Sequence, residues 1–108
     1  MMINGQNYAP MMWWIENTEN DGIRRAFAEL RLWSAYEAEA KAEGDEGTAD
    51  IYCHMLVGAS IVLAMMAEGE GRYHPSHTWT NLASELNRQA KTRGEERITT
   101  ATGSARLV

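Results

Sequence analysis

Cysteine, proline and positive charge are the scarce components of this chain. A single cysteine, Cys53, in 108 residues excludes an intrachain disulfide. Small secreted domains are commonly stapled by disulfides, so the expected compartment is the cytosol. The N-terminus also lacks the basic region and clean apolar run of a signal peptide. Cys53 lies in the most apolar segment, where a free thiol behaves as a small hydrophobe. Only 2 prolines, with 44% hydrophobic and 23% charged residues, describe an ordinary globular chain and argue against disorder. No internal repeat, nucleophile elbow or glycine-rich phosphate loop is visible.

Basic residues are outnumbered, and the net charge is −5. The shortfall is uneven. Residues 1–72 hold 12 acids against 5 basic residues, a balance of −7, whereas residues 73–108 hold 3 against 5, a balance of +2. An acidic body repels the phosphate backbone that a nucleic-acid protein must attract. The mildly basic C-terminal third leaves one local exception.

What is present is helical periodicity. At 108 residues the chain fits one domain with a modest core. Residues 1–9 read as a loose lead-in, Pro10 can open a short helix, and Met11, Met12, Trp13, Trp14 and Ile15 form an apolar knot that must be covered. A first long helix is predicted from Thr18, its N-cap, to Ala42. Ile23, Ala26, Phe27, Leu30 and Trp33 share one of its faces, and Leu32 and Tyr36 form a second apolar side. After a turn at 44–47, a second helix is predicted over 49–68, with Thr48 as cap and Gly69 as stop. Because it is apolar almost all round, it is expected to be enclosed by the rest of the fold. Its small residues Ala49, Cys53, Ser60, Ala64 and Ala67 lie on one side, and the bulky Ile51, Met55, Val62 and Met66 on the other. A third helix, over 79–93 and capped by Ser76 or Thr78, buries Trp79, Leu82, Ala83, Leu86 and Ala90 and ends at Gly94. The tail 98–108 is expected to form one edge strand or to stay loose.

The 17 residues from Ile51 to Ala67 are short for a membrane span, and both their flanks are acidic with no aromatic or basic belt. No membrane association is therefore expected.

Cys53, His54, His74 and His77 include zinc-ligand types, but neighbours on a helix point about 100° apart, so Cys53 and His54 do not face one metal together. The alternative places His54 in a hydrogen-bonded core position and the other two histidines in water. A thiol among Met, Leu and Val is held protonated, which speaks against a cysteine nucleophile. Glu29, Glu37, Glu39 and Glu43 on the first helix have no carboxylate partners inside the second, so a two-helix magnesium site is incomplete. No cofactor or metal is expected.

The expected fold is all-α: a small bundle of three main helices plus a short N-terminal helix, with the central helix largely buried, forming one domain over 1–108. The expected role is non-enzymatic: an acidic, cytoplasmic protein–protein interaction module that occupies a partner's surface, as inhibitors and regulators encoded by phages and mobile elements do. Glu37, Glu39, Glu43, Asp45 and Glu46 form the expected acidic contact patch. Met11, Met12, Trp13, Trp14, Leu32 and Tyr36 form the expected apolar interface, consistent with a homo-oligomer. The alternative is a DNA-binding transcriptional regulator that uses Arg88, Lys91 and Arg93 on the third helix.

Overall fold

A computed structural model describes residues 2–3 and 5–92. The expected tail strand, Gly94 and Arg93 lie outside the described residues.

The chain opens with a two-stranded antiparallel hairpin, β1 (Met2–Ile3) and β2 (Gln6–Asn7), where a loose lead-in was expected. Gly5 turns it with φ +81°, a conformation that costs glycine no Cβ clash. The hairpin delivers Tyr8 into the core, where the ring is 2% exposed. Helix α1 (Ala9–Asn17) follows, with proline in its first turn as its missing N–H allows.

Helix α2 (Asp21–Ala42) starts later than the sequence suggests. Its cap is Asn20, whose side chain accepts from the Ile23 N–H at 3.1 Å, while Thr18 Oγ1 accepts from the Asn20 N–H at 3.2 Å. Both residues are good caps, and the one closer to the apolar stripe takes the position. Gly44, with φ +76°, closes the turn into α3 (Glu46–Gly69). Here Asp45 replaces Thr48 as the cap: its carboxylate accepts from the Thr48 N–H at 3.1 Å and from the Thr48 hydroxyl at 2.8 Å. A loop through Gly71 and Pro75 leads to α4 (Ser76–Thr92).

The short turn makes α2 and α3 an antiparallel pair. Asn20 Nδ2 donates to Glu70 Oε2 at 2.6 Å at one end, and Tyr36 meets Tyr52 with ring centroids 5.4 Å apart towards the other. Trp33 joins this second aromatic cluster, 5.7 Å from Tyr52. The main core gathers Trp14, Ile23, Phe27, Leu30, Leu56, Leu63, Trp79 and Leu82. Trp79 is its hub, 6.0 Å from the Trp14 ring and 6.2 Å from Phe27. The stripes expected on the first and third long helices are therefore the ones that face inward.

The bundle of three main helices with a short N-terminal helix is what the periodicity requires, but the enclosure of the central helix is not. Of α3, only Ala49, Leu56, Ser60, Leu63 and Ala67 are buried. This corrects the expectation of a largely buried rod. Three long helices give each one two neighbours, and two neighbours cover little more than half a helix's circumference. Of the expected small side, Ala49, Ser60 and Ala67 face inward together with Leu56 and Leu63, whereas Cys53 is exposed. Of the expected bulky side, Ile51, Met55 and Val62 are left outside, and Met66 packs against the core.

Candidate functional site

The outer side of α3 carries the largest exposed apolar surface among the described residues. Ile51, Met55, Val57, Ile61, Val62 and Met65 are exposed, with Met65 at 65% and Ile51 at 61%. At 100° per residue these side chains and Gly58 share one broad arc of the helix, and Gly58 lies near its middle. A Cβ built on Gly58 would meet nothing within 4 Å. The arc is framed by Asp50 near the N-terminal end and Glu68 near the C-terminal end, and His54, one turn before Gly58, lies within it; all three are exposed. His54 Nδ1 lies 2.8 Å from the Asp50 carbonyl oxygen, a turn-to-turn contact on the surface and not in the core. By length and composition α3 could cross a membrane, since it spans 24 residues of high mean hydropathy.

The residues expected to form an apolar interface are elsewhere. Met11, Trp14 and Leu32 are buried within the fold and cannot meet a partner without unfolding it. Met12 and Tyr36 are half-buried, Met12 against the core and Tyr36 in the ring cluster with Trp33 and Tyr52. Trp13 alone of the six is exposed, at 60%. The fold itself covers Met11, Trp14 and Ile15 of the knot and half-covers Met12, and leaves Trp13 in water. The compensating exposure falls on α3 because bulky residues on a helix whose opposite side packs closely have no third neighbour to meet.

The acidic residues cluster around the C-terminal end of α2 and the start of α3, but not as a uniform patch. Glu37 is half-buried and pairs with Lys41 at 3.4 Å. Asp45 is committed as the α3 cap, and the Thr48 hydroxyl and N–H hold its carboxyl below the usual carboxylate value. Glu39, Glu43 and Glu46 are exposed. Glu37, Glu39 and Glu43 line an open groove of about 700 Å³ between α2 and α4, whose other wall brings Arg88 and Lys91. The acids therefore share their groove with basic groups.

Two residues of the polar side of α4, Ser84 and Asn87, bond to α2. Ser84 and Ser34 hydroxyls lie 2.9 Å apart, Arg31 Nε donates to Asn87 Oδ1 at 3.0 Å, and Asn87 Nδ2 donates to the Arg31 carbonyl at 2.8 Å. Arg88 is gripped by the Glu85 carboxylate, which raises the arginine's pKa and lowers that of Glu85. Lys91 is exposed. A recognition helix needs its donors facing outward, and here several face the neighbouring helix.

The thiol and histidines do not converge. Cys53 is exposed on α3, where an apolar burial was expected, and His77 is exposed in the first turn of α4. His74 stands edge-on to Trp79 with ring centroids 5.6 Å apart. Burial, and then the nearby Arg72 charge, hold the His74 pKa below its ordinary value. Arg72 itself lies over the Trp14 ring at 5.8 Å. Among the described residues, no three His, Cys, Asp or Glu side chains stand together as a metal site would require. No family model, curated protein or solved structure matches the chain.

Proposed function

We propose that this chain is a non-enzymatic protein-interaction module of the cytosol that acts by occupying a partner's surface, with the outer face of α3 as its contact. One observation carries this reading: Ile51, Met55, Val57, Ile61, Val62 and Met65 stand exposed together on one side of one helix. Contiguous apolar surface on that scale marks a binding face. The bound state would be favoured by removing it from water, at roughly 25 cal/mol per Å² before the costs of association. Methionines on such a face adapt to the shape they meet.

The acidic residues Glu37, Glu39, Glu43, Asp45 and Glu46 supply a long-range component, favouring approach of a basic partner and repelling acidic ones. An exposed free thiol at Cys53 suits a reducing compartment. Inhibitors and regulators that block a surface need no more equipment than this.

The test is affinity capture from the native host with three baits: the unmodified chain, the pair Ile61→Glu and Val62→Glu, and the triple change of Glu37, Glu39 and Glu43 to Lys. The reading predicts that the α3 pair loses the captured protein and that the triple change weakens capture and removes its fall with rising salt. Capture unchanged by the α3 pair contradicts it. Salt-sensitive binding to duplex DNA that disappears on Arg88→Ala and Lys91→Ala would point to the regulator instead.

A further inference from the structure

We infer that, in the free protein, the outer face of α3 is covered by the same face of a second copy of this chain, the two helices crossing at Gly58. The inference rests on the reading that this face takes a protein, and it names which protein.

Area comes first. The six exposed side chains present roughly 500 Å² of apolar surface per copy, the upper range of what a monomer leaves bare. Two such faces can bury at most about 1,000 Å² together, the lower limit for a specific interface and the size of a weak, reversible one. A symmetric pair reaches that limit with this one face of each copy.

Gly58 supplies the shape. It sits near the middle of the 24-residue α3, on the middle of the bare arc. Glycine inside a helix costs about 1 kcal/mol relative to alanine. Among the described residues no neighbour requires it, since a Cβ at this position would meet nothing within 4 Å. A second helix lying across this point would need the room. Ile51 and Met55 before the notch, and Ile61, Val62 and Met65 after it, form ridges that a two-fold related copy can interlock with. One patch then complements itself.

Charge selects against the other apolar occupant, a lipid bilayer. No Lys or Arg occurs anywhere in α3, and Asp45, Glu46, Asp50, Glu68 and Glu70 surround it. Helices that lie on membranes carry basic polar faces, and anionic leaflets repel acidic ones. In a crossed pair the acidic ends diverge into water, leaving the mostly apolar middle, His54 included, in contact. Mutual repulsion of two chains of net charge −5 is screened by salt, so association should strengthen as salt rises.

The test is the mass of the full chain by sedimentation and light scattering, from low micromolar to several hundred micromolar. The expected result is a rise from one chain to two, more complete at high salt. Gly58→Leu, which fills the notch, and Ile61→Glu, which charges a ridge, should each raise the dimer Kd about tenfold or more while the helical circular dichroism spectrum is kept. Met65→Lys, at the most exposed ridge position, serves if either variant fails to fold. A single-chain mass across the whole range overturns the inference, as does undiminished dimerisation of the folded variants. Sedimentation with phosphatidylcholine or phosphatidylglycerol vesicles in place of dimerisation also overturns it. A monomer whose host partner is lost on the α3 pair leaves the broader reading standing; a monomer whose capture is unaffected removes both.

Discussion

The two sides of α3 are both apolar, yet they do opposite work. The inner side is built from Ala49, Leu56, Ser60, Leu63 and Ala67, all buried, and it lets α2 approach closely. The outer side carries Ile51, Met55, Val57, Ile61, Val62 and Met65, larger on average and open to water. Hydrophobicity alone does not decide which residues a fold buries. Position around the helix does: Leu56 and Leu63 lie on the arc that faces the other helices and are buried, whereas Ile61 and Val62, of similar size, lie on the opposite arc and stay in water.

Mutations can break this comparison, and the largest effects should come from the inner side and its hub. Trp79→Ala removes a fully buried indole contacting Trp14, Phe27 and His74, and should cost about 3–5 kcal/mol in denaturant unfolding. Leu63→Ala, at 0% exposure on α3, should cost about 2–5 kcal/mol. A loss below about 1 kcal/mol at either would mean that the core is organised differently.

Gly58→Ala sharpens the contrast on the outer side. It should stabilise the dilute, single chain by about 0.5–1 kcal/mol, because alanine loses less backbone freedom in a helix and nothing stands in its way. Destabilisation of the dilute chain would show that the position is already crowded. Met65→Ser should change dilute stability by no more than about 0.5 kcal/mol, despite removing a large apolar side chain. A core-sized loss there would mean that the outer side is covered within one chain.

The smallest effect concerns pH at the aromatic corner. His74 is held below its ordinary pKa by burial against Trp79 and by Arg72, so the folded chain favours the neutral ring. The unfolded chain then binds the proton first. Stability is complete above the ordinary histidine value of about 6.5 and is lost as pH falls from there towards the lower folded value. His74→Gln should flatten that part of the curve in thermal melts on either side of about pH 6.5. An unchanged slope in the variant would assign the pH dependence to other groups.

Periodicity made the long helices and their inward stripes legible. Ile23, Phe27 and Leu30 on α2, and Trp79, Leu82 and Ala83 on α4, recur at helical spacing and are buried as that spacing requires. The caps were less legible. Thr18, Asn20, Asp45 and Thr48 are all suitable caps, and only the packing of the following stripe decides among them. The hairpin ahead of Tyr8 gave little signal, because strands of two residues have no alternation to detect.

The candidate surface was hidden for a different reason. A helix apolar all round is equally consistent with full enclosure and with an open side, and local spacing does not count neighbours. Gly58, a glycine in the middle of a long apolar helix with bulky residues on either side, is a local feature that full enclosure does not explain. The polar residues of α4 misled in the reverse sense. Ser84 and Asn87 look outward-facing by composition but bond to α2.

The most direct test of the central claim is oxidative footprinting of Met65 against Met11 over a dilution series. Met11 is 4% exposed and serves as the protected standard, whereas Met65 is 65% exposed in the single chain. The account predicts fast oxidation of Met65 in dilute protein and protection that rises with concentration in step with the measured mass, while Met11 stays slow throughout. Met65 oxidising as slowly as Met11 at the lowest concentration, or as fast at the highest as at the lowest, would contradict it.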